Sequence, residues 1–245
     1  MITQYKITFA TGEHMLYVDS AYKLYAYLLE ALDYEVAQWL HDEGSRGVTQ
    51  YLLTDRTNGT CCWTINLLND EVATLLCPVL EGLDRVCIEQ HNFPVTGKAV
   101  RQVSMEDLLL SGRQGVQNKS VLSFVTVTSF KHDGRYVIFP QERLILQSLI
   151  HRWNEVFPQC SLEDEDAFQA LLQGIHIVDY RLRSTRFRMK GVRIPGFMGT
   201  CTVEAKLALP LLEIWNTLLA FSEYAGVGMK TGLGMGAVER KALLT

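Results

Sequence analysis

The first hundred residues alternate between the two-residue hydrophobic period of strands and the longer period of helices. Residues 2–10 set Gln4 and Lys6 between apolar neighbours, which predicts a strand. Residues 22–41 carry apolar side chains at helical spacing, and Asp33 is a candidate N-cap that would divide this helix in two. The remaining predicted elements are strands at 50–53 and 61–67, a helix at 70–80 capped by Asn69, and an extended segment at 84–103. The resulting order, βαββαβ, is the ferredoxin-like plan.

The second half repeats this plan less cleanly. The patterns predict strands at 121–130, 175–189 and 199–207, helices at 141–157, 164–173 and 210–224, and a Gly/Pro-rich turn between the last two strands. A polar, glycine-rich stretch at 111–115 marks the predicted boundary. We therefore expect an α+β protein of two tandem ferredoxin-like (RRM-like) domains, 1–115 and 116–245. Four-stranded sheets of this type commonly bind single-stranded RNA.

Composition narrows the class of protein. A chain of 245 residues that is 48% hydrophobic can bury a substantial core and is too apolar to be disordered. No apolar run approaches the ~20 residues of a membrane helix, and the N-terminus lacks the layout of a signal peptide. We expect a soluble, cytoplasmic protein with no membrane partner. None of its six cysteines forms a C-x-x-C pair, so the sequence does not favour a metal site, and we expect no cofactor.

Charge is unevenly distributed, although the net charge is only −4. Residues 161–180 contain acidic side chains and no basic ones, whereas residues 181–193 contain basic side chains and no acidic ones. The basic set consists of Arg181, Arg183, Arg186, Arg188, Lys190 and Arg193. In a strand, alternation would put Arg186, Arg188 and Lys190 on one face, and a bulge near Thr185 would add Arg181 and Arg183 to it. Such a face suits RNA phosphates; the alternative is a solvated face paired with the acidic residues at 163–166.

A glycine-rich segment follows the last predicted helix. It reads Gly226-Val-Gly228-Met-Lys230-Thr-Gly232-Leu-Gly234-Met-Gly236. Glycines at this density let backbone N–H groups approach an anion closely, and Lys230 could contact phosphate. The segment fits neither the P-loop nor the dinucleotide-binding template. The alternative is a tight turn in which the glycines serve only backbone geometry.

His41 is the candidate catalytic residue, because a histidine that titrates near neutral pH suits general acid–base chemistry. The alternative is a histidine that the helix dipole favours at a helix C-terminus. Tyr27 lies upstream in the same helical segment, and an unbroken helix would hold it about 21 Å from His41 at 1.5 Å per residue. Their cooperation therefore needs the break at Asp33. Lys131 and Arg135 flank a polar turn in which RNA contact or plain solvation is the expected role.

The glycine-rich pattern resembles the signature of the RAMP proteins of CRISPR systems, and most closely that of the endoribonuclease that cuts CRISPR precursor RNA within its repeats. The resemblance covers nearly the whole C-terminal half, and the N-terminal half matches more loosely. The other matching stretches lie at 125–140, 146–154, 190–199 and 220–226. In this family the helix-terminal pattern L-H-[DE]-x-G carries the reactive histidine, and residues 40–44 match it. The family often adds a tyrosine and a lysine; the lysine is absent here, and Arg46 is the nearest cation.

The resemblance implies metal-independent cleavage of CRISPR precursor RNA within the repeat. The ribose 2′-hydroxyl would attack the adjacent phosphate and leave a 2′,3′-cyclic phosphate and a 5′-hydroxyl. His41, Tyr27 and Arg46 would be the catalytic residues, with the basic strand, Lys131, Arg135 and the glycine-rich segment holding the RNA. The implied partner is CRISPR repeat RNA, as precursor and as mature crRNA; effector-complex subunits and a second copy of the chain are further candidates. Two alternatives stay open: a non-catalytic RNA-binding RAMP subunit, and a nucleotide-binding protein that uses Lys230.

Overall fold

The computed structural model describes residues 1–42 and 47–242. By its contacts the chain divides into unit 1, which is Met1–Gln102 with Lys230–Met235, and unit 2, which is Val103–Met229 with Gly236–Thr245. The division thus falls after Gln102, whereas the sequence analysis placed it after residue 115. Among the described residues, no helix is both long enough and apolar enough to cross a membrane.

Unit 1 is a five-stranded sheet with helices between its strands. In chain order its elements are β1 (Ile2–Ala10), a 3-10 turn (Val18–Ser20), α1 (Ala21–Glu30), α2 (Tyr34–Asp42), β2 (Val48–Asp55), β3 (Thr60–Leu67), α3 (Asp70–Gly82), β4 (Arg85–Ile88) and β5 (His91–Val103). The sheet order is β2-β3-β1-β5-β4. The first four of these strands have the ferredoxin-like order, which confirms the predicted plan, and β4 adds an edge hairpin with β5.

Two helix boundaries in unit 1 follow from the predicted signals. The Asn69 side chain accepts a hydrogen bond from the Val72 backbone N–H at 2.8 Å, so Asn69 caps α3 as expected. The helical segment from 21 to 42 is broken between Glu30 and Tyr34, where Asp33 was expected to divide it. The break lets the amphipathic faces of two short helices meet the same core, which one straight helix of this length could not do.

The core of unit 1 is formed by the buried face of its sheet and the helices that cover it. Trp63, Tyr5 and Phe9 are among its largest fully buried side chains. Among the buried polar residues of unit 1, Gln50 makes three hydrogen bonds: its amide nitrogen donates to the carbonyls of Ala21 at 3.0 Å and Gly232 at 3.2 Å, and its amide oxygen accepts from Trp63 Nε1 at 2.9 Å. Gln50 thus ties β2 to α1 and to the glycine-rich segment.

Because three partners depend on it, replacing Gln50 should destabilise unit 1. We expect Gln50→Leu to lower the free energy of unfolding by about 2 kcal/mol, since it leaves the Trp63 N–H and two carbonyls without their partner. Thermal unfolding of the purified protein measures this loss. Gln38→Leu, which changes an exposed glutamine on α2, is the matched control and should leave the unfolding transition in place. Equal transitions for the two variants would contradict a structural role for Gln50.

Unit 2 has the same plan with a four-stranded sheet. Its elements are α4 (Met105–Gln114), β6 (Lys119–Thr128), a short hairpin of β7 (Phe130–His132) and β8 (Arg135–Val137), α5 (Glu142–Val156), a 3-10 turn (Pro158–Cys160), α6 (Glu165–Gly174), β9 (Ile175–Met189), β10 (Val192–Ala205), α7 (Leu209–Ala225) and β11 (Val238–Ala242). The sheet order β11-β6-β10-β9 is again ferredoxin-like. Trp153, Phe157 and Phe221 form an aromatic cluster in its core, with ring centroids 4.6 to 5.9 Å apart.

Two predicted features of unit 2 differ from the structure. The polar, glycine-rich stretch at 111–115, which was predicted to mark the boundary, is largely helical, because residues 111–114 form the end of α4, and Ser104 and Asp107 form a capping box at the start of that helix. Its Gly112 lies so close to Thr217 of α7 that a Cβ would clash, which explains a glycine inside the helix. The turn between β9 and β10 is shorter than predicted: only Lys190 and Gly191, both with positive φ, form it, and Pro195 lies within β10.

The register of β9 corrects the predicted bulge near Thr185. Thr185 pairs with Gly196 and Ser184 with Phe197 in unbroken sequence. The register shifts instead between Ile177 and Asp179, so Val178 is the extra residue. With no bulge at Thr185, side-chain alternation separates the basic residues of β9 into two sets on opposite faces.

Candidate functional site

The break between α1 and α2 folds the two helices back on each other. The Tyr25 hydroxyl of α1 donates to the backbone carbonyl of Leu40 near the end of α2, at 3.5 Å. Leu40 precedes His41, and Tyr25 lies two residues before Tyr27. The hairpin therefore returns the end of α2 to the middle of α1, whereas an unbroken helix would separate Tyr27 and His41 by about 21 Å. Tyr25 itself is buried in the core.

Tyr27 is half-buried and packs against the core of unit 1. Its hydroxyl donates to the backbone carbonyl of Arg85 on β4 at 3.3 Å. Burial, and then the nearby Cys87 thiol and Asp84 carboxylate, raise the pKa of this phenol above its usual value, with a smaller opposing effect from Arg85. Tyr27 is therefore protonated at neutral pH and is not a base, and to donate a hydrogen bond to a substrate its hydroxyl would turn away from the Arg85 carbonyl.

His41 is exposed in the last turn of α2. This position leaves its imidazole accessible to a ligand in solvent while the helix fixes its backbone. Arg46, the predicted third catalytic residue, lies outside the described residues, as do residues 43 and 44 of the matched pattern. The catalytic assignment of His41, Tyr27 and Arg46 stays a prediction.

The loop after β1 and the start of β5 bring together two histidines that are distant in the sequence. The rings of His14 and His91 lie 4.4 Å apart between centroids, and both lie beside Phe93. The His91 Nδ1 is 3.0 Å from the backbone carbonyl of Glu89. Glu89 and Gln90 form the β4–β5 turn with positive φ at both positions, although neither is glycine. No local motif could reveal this cluster, because its members are 77 residues apart in sequence.

The glycine-rich segment is built as a packed turn. Backbone N–H groups from Gly226 to Met229 donate to Ser222, Gly236, Ser148 and Ser129, and those from Leu233 to Gly236 donate to Lys230, Thr231 and Val127. The glycines expected to cradle an anion, Gly226, Gly228, Gly234 and Gly236, therefore have their N–H groups engaged within the protein. This conformation corresponds to the geometric alternative rather than to an open phosphate nest. RNA contact by these four glycines and by Lys230 stays a prediction.

Positive φ angles explain why the turn needs glycine. Gly228 has φ +85°, and a Cβ there would lie 2.5 Å from the Ser129 carbonyl oxygen. Lys230 adopts the left-handed conformation without being glycine, with φ +57°. Its side chain is half-buried, and this position makes Lys230 the basic residue at the bend of the segment.

The basic residues of β9 are exposed on the edge strand of the unit 2 sheet. Arg188 pairs directly with Arg193 of β10, so these two cations share a face with Arg186. Arg181 and Arg183 lie on the opposite face, and Lys190 is in the turn. The predicted single stripe is therefore wrong in its geometry, because the bulge that would have aligned it is at Val178.

The alternative interpretation paired this strand with the acidic residues at 163–166, but among the described residues these acids form no ion pair with it. Asp164 caps α6 through the Ala167 N–H at 2.9 Å, and Glu165 accepts from Gln169 on the same helix. Within residues 1–42 and 47–242, the six cations at 181–193 make no ion pair. Lys131 and Arg135 are likewise exposed, in the β7–β8 hairpin. These exposed, unpaired cations favour an anionic partner for unit 2.

Across the part of the chain that the structure describes, no group of three or more His, Cys, Asp or Glu side chains could hold a metal ion.

Comparison with known proteins identifies the family. Residues 122–238 match the family of the CRISPR-associated endoribonuclease Cas6. A CRISPR-associated endoribonuclease Cas6 from Streptococcus thermophilus is 32% identical over 223 residues, which cover 90% of this chain and 91% of that protein. The chain belongs to the Cas6 family. It is thus an endoribonuclease of CRISPR systems, as the glycine-rich segment indicated.

Solved Cas6 structures share the fold over almost the full length. One Cas6 product complex is 23% identical, with a TM-score of 0.83, and the match covers 99% of this chain and 100% of that one. A second Cas6 product complex is 25% identical, with a TM-score of 0.81, and the match covers 98% and 99%. These similarities confirm the two ferredoxin-like units. The residues that match the family model lie in the C-terminal half, which also contains the glycine-rich segment and the other stretches at 125–226 that carried the resemblance.

Proposed function

We propose that this Cas6 protein cleaves CRISPR precursor RNA within the repeat, by attack of a ribose 2′-hydroxyl on the adjacent phosphate. The 2′-hydroxyl loses its proton, its oxygen bonds to phosphorus, and the bond from phosphorus to the 5′-oxygen breaks as that oxygen takes up a proton. The products are a 2′,3′-cyclic phosphate and a 5′-hydroxyl. The observation that carries the proposal is the α1–α2 hairpin, which returns the helix end that bears His41 to the helix that bears Tyr27.

His41 moves the proton in this scheme, because its exposed imidazole can approach the ribose or the leaving oxygen. Tyr27 orients the ribose as a neutral hydrogen-bond donor. Arg46 stabilises the charge that develops on the phosphate. The exposed cations of β9, the β7–β8 hairpin and Lys230 hold the repeat through its phosphates, and the protein works in the cytoplasm on precursor RNA. Two similar solved structures are described as product complexes of Cas6 proteins, which supports binding of RNA by this fold.

The experiment that tests the proposal is cleavage of the cognate repeat RNA by the purified protein in excess EDTA, with analysis of both product ends. We expect cleavage at one position, a 2′,3′-cyclic phosphate that acid opens to a mixture of 2′- and 3′-phosphates, and a 5′-end that kinase can label directly. A 5′-phosphate, or cleavage that requires added divalent metal, would overturn the mechanism. Binding without cleavage would instead identify a non-catalytic RNA-binding subunit.

Tyr27→Phe separates the proposed catalytic role of the hydroxyl from its structural one. We expect the single-turnover cleavage rate to fall about fivefold, since the loss of one orienting hydrogen bond is worth about 1 kcal/mol. The ring stays in place, so the free energy of unfolding should change by less than about 1 kcal/mol. Tyr5→Phe is the matched control, because it removes a hydroxyl of unit 1 that donates to Glu81 at 3.1 Å. Equal cleavage rates in both variants would remove Tyr27 from the mechanism.

A further inference from the structure

Two aromatic side chains of unit 2 are exposed and pack against each other. Phe139, in the connection between β8 and α5, is 45% exposed, and Tyr180 on β9 is 55% exposed. Their ring centroids lie 5.3 Å apart with the ring planes at 88°. Tyr136, Ile138 and Val178 are also large apolar side chains left exposed in these segments. Contiguous exposed apolar surface of this kind marks an interaction site more often than a lone exposed side chain does.

The bulge at Val178 explains why Tyr180 is placed here. Ile177 pairs with Val203 and Asp179 pairs with Thr202, so Val178 is the extra, unpaired residue of the bulge. A bulge increases the local twist of a strand and redirects the side chains around it. Among the described residues β9 is the edge strand of its sheet, so no described strand pairs with its outer side. The ring therefore reaches the Phe139 ring of a different segment while keeping more than half of its surface open.

Cations lie close to the two rings in the sequence. Arg181 follows Tyr180 directly on β9, where strand alternation turns it to the other face of the sheet, and Lys131 and Arg135 are exposed in the hairpin that leads to Phe139. Within the described ranges none of these three cations forms an ion pair. The nearby acids are Asp179, on the strand itself, Glu142, whose carboxylate accepts a hydrogen bond from the Ile177 backbone N–H at 2.8 Å, and Asp133, whose carboxylate lies 3.6 Å from His132. The surface therefore combines open aromatic faces with unneutralised positive charge.

Exposed aromatic rings together with unpaired cations favour a nucleic acid over a protein as the ligand of this surface. The centre of a protein–protein interface is depleted in charged residues, whereas single-stranded nucleic acid binds where cations track the backbone and aromatic rings stack the bases. We propose that Phe139 and Tyr180 form a stacking site for an unpaired base of the repeat RNA, with the exposed cations of the β7–β8 hairpin, Lys131 and Arg135, on the flanking phosphates. This inference rests on the proposed function, and it adds two aromatic side chains to the basic residues and the glycine-rich segment.

The test uses Phe139→Leu, Tyr180→Leu and the double variant in the full-length protein. The probe is the cognate repeat RNA with 2-aminopurine placed at one unpaired position at a time, whose fluorescence falls when the base stacks. We expect one position to be quenched by the wild-type protein and released in the double variant. We also expect the Kd for unlabelled repeat RNA to rise about 5- to 100-fold in the double variant, as for the loss of one stacked base. Both side chains are exposed, so the melting temperature of the double variant should equal that of the wild type.

Tyr17→Leu is the matched control, because it removes a tyrosine of similar exposure, 53%, from unit 1. Its Kd and quenching should equal those of the wild type. Quenching and Kd that are unchanged in the double variant would overturn the inference while the wild-type protein still cleaves the repeat. An unchanged Kd together with altered self-association in light scattering would also overturn it, in favour of a protein-binding surface. A wild-type protein that neither binds nor cleaves the repeat would overturn the stacking site and the proposed function together.

Discussion

Replacing His41 by alanine is expected to slow cleavage of the repeat RNA by about 10²- to 10⁴-fold, the usual contribution of a general acid or base. The Kd for the RNA should change by less than about twofold, since one exposed imidazole adds little to the many phosphate contacts that the basic residues provide. Single-turnover rates with protein in excess, and a separate binding titration, measure the two quantities independently. Such a result would place His41 in the chemical step.

The matched control for this prediction is His151→Ala. His151 is also an exposed histidine on a helix, with its Nε2 3.2 Å from Glu155 on α5. Its loss removes one pair across a turn of that helix, so the cleavage rate should stay within about twofold. If both histidine variants cleave at the wild-type rate, another residue performs the proton transfer. If His41→Ala loses RNA binding and cleavage in equal measure, the residue contributes to binding rather than to catalysis.

The parts of the fold that the sequence predicted are those set by local periodicity and capping. β1 has the predicted ends because Gln4 and Lys6 alternate with buried neighbours, and Asn69 caps α3 through a side-chain acceptor that the sequence displays. The break near Asp33 was predictable for the same reason. This break matters most for the candidate site, because the position of His41 beside α1 depends on it.

The features that the sequence did not predict depend on contacts between distant residues. The pairing of β9 with β10 decides where the bulge falls, and no local signal at Val178 marks it. The stacking of His14 with His91, and of Phe139 with Tyr180, likewise requires the tertiary fold. Helix α4 was not predicted for a different reason. The sequence displays its Ser104 capping box, but Gly112 and Gly115 are typical of a domain boundary. Only the close approach of Gly112 to α7 explains a glycine inside this helix.

The glycine-rich segment shows how one pattern can support two mechanisms. Its spacing suits an anion nest, yet most of its N–H groups donate to acceptors within the protein. The signature therefore identifies the family even though, in this conformation, the glycines serve the backbone geometry of a turn. A substitution that adds only a methyl group can separate the two roles, because packing and phosphate binding predict losses in different measurements.

Gly228→Ala is expected to lower the free energy of unfolding by about 4 kcal/mol. The new methyl group would lie 2.5 Å from the Ser129 carbonyl oxygen, and the φ of +85° disfavours any residue with a Cβ, so steric overlap adds to backbone strain. In a chain of this size, a loss of this magnitude lowers the melting temperature by about 10 °C. The effect is large because the contact is to rigid backbone, which cannot move aside as the end of a side chain could.

Gly134→Ala isolates the conformational part of that cost. Gly134 has φ +75° in the β7–β8 turn, but a Cβ there meets nothing within 4 Å. Its replacement should cost only about 1 kcal/mol, the penalty of the left-handed conformation alone. The difference between the two variants then measures the close approach at Gly228. If Gly228→Ala instead weakens RNA binding at an unchanged melting temperature, the segment acts on phosphate and the packing role is wrong. If Gly228→Ala unfolds at a lower temperature and its folded fraction binds RNA normally, the glycine at 228 is required by the turn.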